Sequence, residues 1–162
     1  MKNFLILFVT IVMMYSCDNQ GGSTEGGSDS ATNILFQEST LPYKTIPFDK
    51  IKEADFMPAF EEGMKQQITE IDRIANDTAA PTFDNTLAAM EKSGRLLDRA
   101  NRAFDALTSA NTNENLQKMQ EELAPKLAAH SDAIFLNEKL FKRIDKLYKV
   151  HETLSLEPEA KR

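Results

Sequence analysis

Two histidines and one cysteine are the residues of this chain with the widest range of chemistry. His151 opens the segment HETLS (residues 151–155), which begins like the zinc-peptidase motif HExxH. In that motif two histidines one helical turn apart bind the metal, and the glutamate activates water. Ser155 stands where the second histidine belongs, and His130 falls on a different predicted helix. The sequence therefore predicts no metal site in this chain, with His151 a polar position at a helix end and His130 partly buried or in contact with solvent.

The remaining residue types give no catalytic arrangement either. There is no Gly-x-Ser-x-Gly elbow to expose a nucleophile, and no glycine-rich loop leads into an element that could bind phosphate. The pairs Glu61-Glu62 and Glu121-Glu122 are adjacent in sequence, so on a helix their side chains point about 100° apart and share no proton. They are predicted to be solvated charges. No catalytic residue is predicted in this chain.

Cys17 has a different chemistry, because it follows an export signal. Lys2 supplies a positive start, and residues 4–14 form an apolar run of eleven residues. That run is shorter than the roughly 20 residues that a membrane-spanning helix needs. The segment MYSC (residues 14–17) resembles a lipobox, so residues 1–16 are predicted to be a lipoprotein signal peptide and Cys17 the lipidated mature N-terminus. The alternative is a plain secretory signal followed by an incidental cysteine.

A Gly/Ser-rich stretch, residues 17–32, separates Cys17 from the rest and holds four of the six glycines. Its composition predicts a flexible tether that holds the following domain near a bacterial membrane, on the periplasmic side. The chain carries a formal net charge of -6. Nucleic acid is therefore an unfavourable partner, because phosphate binding needs a clustered positive face.

From residue 33 onward the apolar residues recur every three or four positions, which is typical of helices. Pro42 and Pro47 predict an extended lead-in over residues 41–48. Four helices are expected: one from about Phe56, a long one after an N-cap at Thr82, a third opening near Thr112 or Asn113 and kinked at Pro125, and a fourth from about Asn137. The second is expected to run through Ser93-Gly94-Arg95 to about Leu107, and the fourth to bury Leu140, Phe141, Ile144, Leu147 and Leu154. No strand pattern occurs, so the predicted fold is all-α, with helices packed as antiparallel neighbours.

The last residues have the pattern of a helix start. Pro158 suits a first helical turn, and Glu157 and Glu159 suit the positive end of the helix dipole. One turn does not form a stable helix, so the pattern predicts that this chain is a piece of a longer protein. A frayed charged tail is the alternative.

Five segments together resemble the N-terminal region of bacterial peptidyl-dipeptidases, which are dipeptidyl carboxypeptidases of the thimet oligopeptidase family of zinc metallopeptidases. The segments are QESTLPY (37–43), PFDKI (47–51), FMPAFEEGM (56–64), PTFDNT (81–86) and AHSDAI (129–134). The resemblance runs in order from about Asn33 to Arg162.

This resemblance implies a two-lobed all-α enzyme with a deep channel, which uses zinc to remove dipeptides from the C-terminus of oligopeptides. Residues 33–162 would then be the first helices of the N-terminal lobe, forming part of the substrate-channel wall. No residue here corresponds to a zinc ligand, a general base or an oxyanion donor of the family, so this chain alone is expected to be inactive. The alternative is a stand-alone helical lipoprotein that serves as a binding module without catalysis.

Overall fold

The computed structural model describes residues 33–154, 156, 157 and 160, and within them all regular structure is helical. The α-helices are α1 (Phe56–Ala75), α2 (Ala89–Glu91), α3 (Arg95–Asn111), α4 (Glu114–Phe135) and α5 (Glu138–Val150). A π turn, Phe83–Ala88, runs directly into α2. Single 3-10 turns occur at Ile34–Phe36, Pro42–Lys44, Phe48–Lys50, Glu53–Asp55 and His151–Thr153. The predicted all-α fold is confirmed.

Several sequence-based predictions concern residues outside the described part of the chain. These are the signal peptide over residues 1–16, the lipidated Cys17, the tether over residues 17–32 and most of the helix-start pattern around Pro158. Among the described residues, no helix is both long enough and apolar enough to cross a membrane.

The predicted N-cap forms at Thr82, and Asn113 and Asn137, which were predicted only as approximate helix starts, are N-caps as well. The Thr82 hydroxyl accepts the Asn85 N–H at 3.1 Å, and the Asn85 side chain accepts the Thr82 N–H at 2.7 Å. The Asn113 side chain accepts the Leu116 N–H at 2.9 Å. Asn137 accepts the N–H groups of the second and third residues of α5. Each cap satisfies backbone donors that have no partner inside the helix, which fixes where these elements begin.

The prediction of one unbroken second helix is wrong. Gly94 has a φ of 71°, in the left-handed region, so the chain turns there between α2 and α3. Glycine adopts this conformation without the steric cost that a Cβ would impose. Ser93-Gly94-Arg95 is therefore the junction between two helices. In the turn before α2, Leu87 is 37% exposed and Thr86 is buried.

The main core lies where α1 meets α3 and α4. The Phe104 ring of α3 meets the rings of Phe56 and Phe60 edge-on, with centroids 5.0 and 5.5 Å apart. Leu116 and Leu123 of α4 are buried against the same cluster. Burying large side chains of this kind contributes about 1.5–3 kcal/mol each, so this cluster is the main source of stability.

A second, smaller cluster joins the C-terminal end of α1 to α5 through Ile71, Ile74, Ala75 and Leu140. Here the prediction for the fourth helix is only partly right. Leu140 and Leu147 are buried as expected, but Phe141 is 65% exposed, while Arg143 is 6% exposed.

Pro125 does not break α4, which continues from Glu114 to Phe135. The proline removes the N–H that would bond to the Glu121 carbonyl. Both residues are exposed, so water can satisfy that carbonyl. The lead-in also differs from the extended segment that its prolines predicted, since it is a series of single 3-10 turns with positive φ at Tyr43 and Lys44.

Candidate functional site

The two histidines lie on different elements and have separate surroundings. His151 lies in the 3-10 turn after α5, with its ring stacked on Tyr148 at 5.0 Å and its Nε2 3.0 Å from the Glu152 carboxylate. His130 is on α4, half-buried, and its Nε2 lies 2.7 Å from the Gln67 side-chain oxygen. Nowhere in the part of the chain that the structure describes do three His, Cys, Asp or Glu side chains come together to hold a metal ion.

The glutamate pairs are solvated, but two of their members share a lysine. Lys126 Nζ lies 2.8 Å from Glu122 on its own helix and 3.1 Å from Glu61 on α1. Hydrogen bonds from Lys126 to Glu122 and then to Glu61 raise the pKa of the lysine above its ordinary value. The carboxylates are 58–60% exposed, so this arrangement is a surface bridge between helices and not an acid–base pair.

A polar junction at Gln67 joins α1, α4 and the break between α2 and α3, and no local sequence pattern predicts these contacts. The Gln67 oxygen accepts from His130, and its amide lies 3.4 Å from the Ser93 hydroxyl. One turn along α1, the Glu70 carboxylate accepts the Gly94 N–H at 2.8 Å. These contacts position the break between α2 and α3 against α1 and α4.

Arg143 holds the loop that follows α1. Its Nη1 donates to the carbonyls of Asp77 at 2.6 Å and Ala79 at 3.1 Å, and its Nη2 donates to the Asn85 side chain at 3.0 Å. The helical period of α5 places residue 143 near the side that carries the buried Leu140 and Leu147. The loop carbonyls of Asp77 and Ala79 explain why an arginine is buried there.

An apolar surface covers much of α5 and the turn before it. Four large apolar side chains are mostly exposed: Phe135 at 78%, Leu136 at 77%, Phe141 at 65% and Tyr148 at 70%. Beside them is a groove of about 340 Å³, lined largely by Phe83, Leu87, Ile144, Leu147, Tyr148 and Leu154. Exposed apolar surface of this kind marks an interaction site. We refer to Phe135, Leu136, Phe141 and Tyr148 as the α5 apolar surface.

A second surface is basic. A cavity of about 270 Å³ between the lead-in and α3 is lined by four basic and two acidic side chains. Both surfaces offer contacts but no nucleophile, acid–base pair or metal ligand set.

The amino-acid sequence of the chain is similar to the sequences of bacterial peptidases. The chain is 45% identical over 132 residues to the dipeptidyl carboxypeptidase of Salmonella typhimurium and 42% identical over 128 residues to the dipeptidyl carboxypeptidase of Escherichia coli. The matches cover 82% and 79% of this chain. No family model matches the chain.

The chain is therefore a homologue of the dipeptidyl carboxypeptidases, as its sequence motifs predicted. It spans about a fifth of the length of these relatives, since each match covers 19% of the relative.

Proposed function

We propose that residues 33–162 are part of the N-terminal lobe of a lipid-anchored zinc metallopeptidase that releases C-terminal dipeptides from oligopeptides. In this proposal the helices form part of the substrate-channel wall, and oligopeptide is the substrate of the whole enzyme. The observation that carries the proposal is the identity of 42–45% to dipeptidyl carboxypeptidases over about four fifths of the chain.

The α5 apolar surface supports this proposal independently of the sequence matches. Phe141 and Tyr148 each lie about 100° around α5 from the buried residues that precede them, Leu140 and Leu147, and both are more than three fifths exposed. Covering such aromatic side chains contributes about 1.5–3 kcal/mol each. Further helices of the same lobe would provide that cover.

The residues of this chain do not fit the zinc ion that the family implies. The segment from His151 to Ser155 lacks the second histidine, and His151 is in a 3-10 turn, where Nε2 faces Glu152. His130 contacts Gln67. Zinc would therefore be bound by residues outside this chain, and the helices described here would position substrate without taking part in the chemical step.

Two experiments test the peptidase part of the proposal. The purified chain, supplied with zinc and an N-terminally blocked oligopeptide, should release no C-terminal dipeptide by mass spectrometry. Sequencing the gene beyond the codon for Arg162 should reveal an HExxH motif in the same frame, some hundreds of codons downstream. A stop codon directly after that position would contradict the proposal for this chain.

The lipid anchor requires its own test. Mass spectrometry of the membrane fraction should find a mature N-terminus at Cys17 that carries a diacylglyceryl group. A Cys17→Ala variant should keep residues 1–16 uncleaved, whereas a Cys17-containing control with Ser16→Ala should be processed normally. An unmodified Cys17 in the mature protein would contradict the anchor and leave the peptidase proposal standing.

The second candidate is a stand-alone helical lipoprotein that acts as a binding module, and the well-formed core around Phe56, Phe60 and Phe104 favours it. This candidate requires the isolated chain to be monodisperse, to unfold cooperatively and to bind little hydrophobic dye. The peptidase-lobe proposal expects self-association and dye binding through the α5 apolar surface.

A further inference from the structure

The basic cavity contains a concentration of positive charge on a chain whose formal net charge is -6. Four basic and two acidic side chains line it, which gives a local charge of about +2. The charged lining residues are Glu38, Lys44, Arg95, Asp98, Arg99 and Arg102. We refer to Lys44, Arg95, Arg99 and Arg102 as the basic face.

The arginines of this face share one side of α3, because they are spaced four and three residues apart. Arg99 is anchored, since its Nε donates to the Leu35 carbonyl at 2.7 Å. Burial lowers the pKa of Arg99 from its ordinary value, although the side chain stays charged. Arg102 pairs with Asp98 at 2.7 Å, and Arg95 has no ion-pair partner among the residues that the structure describes.

The lead-in contributes an exposed aromatic residue next to a lysine. Tyr43 is 101% exposed, and it and Lys44 have φ values of 57° and 55°. Left-handed backbone costs about 1–2 kcal/mol at a non-glycine residue. The turn therefore keeps Tyr43 exposed to water in a strained backbone conformation. Lys44 Nζ lies 2.7 Å from the Glu38 carboxylate. An aromatic ring beside basic side chains is typical of the membrane–water interface.

The basic face also adjoins the lead-in, which follows the predicted tether directly in sequence. Ile34, Leu35 and Gln37 line the same cavity as Arg95 and Arg99. The predicted tether of residues 17–32 has a random-coil span of about 20–24 Å. A domain held at that distance on average meets the bilayer repeatedly, and the surface next to the tether meets it most often.

We propose that the basic face docks on anionic lipid headgroups of the bilayer that holds the anchor, with Tyr43 at the interface. The inference rests on the proposed lipidation of Cys17. Docking fixes the orientation of the helical lobe relative to the membrane, with α3 towards the lipid.

One other surface of the chain could compete for the same headgroups. The helix α5 carries five basic and two acidic residues, among them Lys142, Lys146 and Lys149. It begins more than one hundred residues after the predicted tether, whereas the lead-in that carries Lys44 follows the tether directly. Replacing these three lysines provides a control with the same change in net charge as replacing three residues of the basic face.

The test uses the lipidated full chain reconstituted into vesicles. A Gln37→Cys variant carries a single fluorophore at the cavity, because the lipid occupies the Cys17 thiol. Quenching by lipids with a nitroxide on the headgroup reports how close the basic face lies to the surface. We expect stronger quenching in vesicles that contain phosphatidylglycerol than in pure phosphatidylcholine, and we expect salt to reduce the difference.

Two triple variants locate the contact. The first variant replaces Lys44, Arg95 and Arg102 with Gln. The second replaces Lys142, Lys146 and Lys149 with Gln. Each basic side chain near an anionic surface raises the ratio of docked to undocked protein about fivefold. The first variant should therefore lower this ratio by up to about a hundredfold. The α5 variant should retain the difference between the two lipids. The salt titration of the unsubstituted chain gives an independent reading if a variant is unstable.

Several results would overturn the proposal. Equal quenching in both lipids would show that no docking occurs, and an equal loss in both triple variants would show non-specific attraction. Reversal by millimolar inorganic phosphate at constant ionic strength would instead indicate a small-anion site. An absence of the diacylglyceryl mass on Cys17 would overturn the anchor itself, and that measurement is separate from the quenching.

Discussion

The backbone of Leu97 on α3 packs directly against Gly63 on α1. A Cβ at position 63 would lie 2.8 Å from the Leu97 nitrogen and 2.9 Å from its Cα. These are backbone atoms of a helix, so they cannot rotate away as the end of a side chain could. Gly63 therefore sets how closely the two helices approach in the centre of the fold.

Replacing Gly63 with Ala should destabilise the chain even though alanine favours the helix. The gain in helix propensity is about 1 kcal/mol, whereas overpacking a fixed helix contact costs about 1–3 kcal/mol. We expect a net loss of free energy of unfolding of up to about 2 kcal/mol in urea denaturation. Gln66→Ala on the exposed side of α1 is the control and should change this free energy little. A Gly63→Ala variant that is more stable than the original would show that α1 and α3 can separate freely.

Gly94 and Gln67 should show energetic coupling. A Cβ at position 94 would lie 2.5 Å from the Gln67 side-chain amide, and the φ of 71° adds strain of its own. Gly94→Ala should therefore cost about 2 kcal/mol or more, partly because Gln67 must leave His130 and Ser93. In the double variant with Gln67→Ala, the clash is absent and only the backbone strain remains. A double-mutant cycle in which the two losses simply add would contradict this coupling.

The stability of the chain should fall as the pH drops below about 6.5 because of His130. Burial lowers the pKa of the His130 imidazole from its ordinary 6.5, so the unfolded chain binds more protons than the folded one. The free energy of unfolding should thus rise with pH through this window and level off above it. The neutral ring already donates Nε2–H to Gln67, so protonation gains nothing at that contact.

Urea denaturation between pH 5 and 8 measures this slope. His130→Gln should flatten it below pH 6.5, whereas His151→Gln serves as the control at a histidine whose side chain is 42% exposed and should leave it in place. If both variants keep the slope of the original chain, carboxylates are responsible and His130 is not.

Arg143 should be the most sensitive charged residue of the fold. Arg143→Met removes the donors to the Asp77 and Ala79 carbonyls and leaves these acceptors beside an apolar side chain. We expect a loss of about 1–3 kcal/mol in the free energy of unfolding, with faster hydrogen exchange in residues 76–86. Lys142→Met, one position earlier and exposed, should change stability by less than about 0.5 kcal/mol. A small effect at Arg143 would mean that the loop keeps its conformation without the guanidinium.

The sequence allowed most of the helices, the starts of two of them and the cap at Thr82 to be predicted, because these depend on local chemistry. A side-chain oxygen at Thr82, Asn113 or Asn137 satisfies N–H groups two or three residues further on. The turn at Gly94 could have been found in the same way, since a glycine after a polar residue at the end of an apolar run is typical of a helix C-terminus. The long apolar pattern on both sides of it favoured one helix instead.

Features that depend on distant residues could not be predicted. Phe141 and Arg143 are two positions apart on α5, and hydropathy alone assigns the phenylalanine to the inside. The arginine is buried because the carbonyls of Asp77 and Ala79 face α5, and nothing near residue 143 in sequence indicates this. The basic face was missed for the same reason, since Lys44 and Arg95 are separated by some fifty residues.

The exposure of Phe141 leads to a final prediction, on the α5 apolar surface. Phe135 and Phe141 are 78% and 65% exposed, so replacing both with Ser removes apolar surface that lies mostly in water already. The free energy of unfolding should change by less than about 1 kcal/mol, because surface substitutions rarely exceed about 0.5 kcal/mol each. Self-association in analytical ultracentrifugation and binding of a hydrophobic dye should both decrease.

Phe104→Ser is the matched control: it removes a ring that is 3% exposed, so it should unfold the chain and raise dye binding. In the proposed full-length peptidase, replacing Phe135 and Phe141 with Ser should destabilise the protein as Phe104→Ser does here, because further helices of the lobe would cover both rings. Equal tolerance in the short and long proteins would show that this surface faces solvent in both, and that it has no role in assembling the lobe.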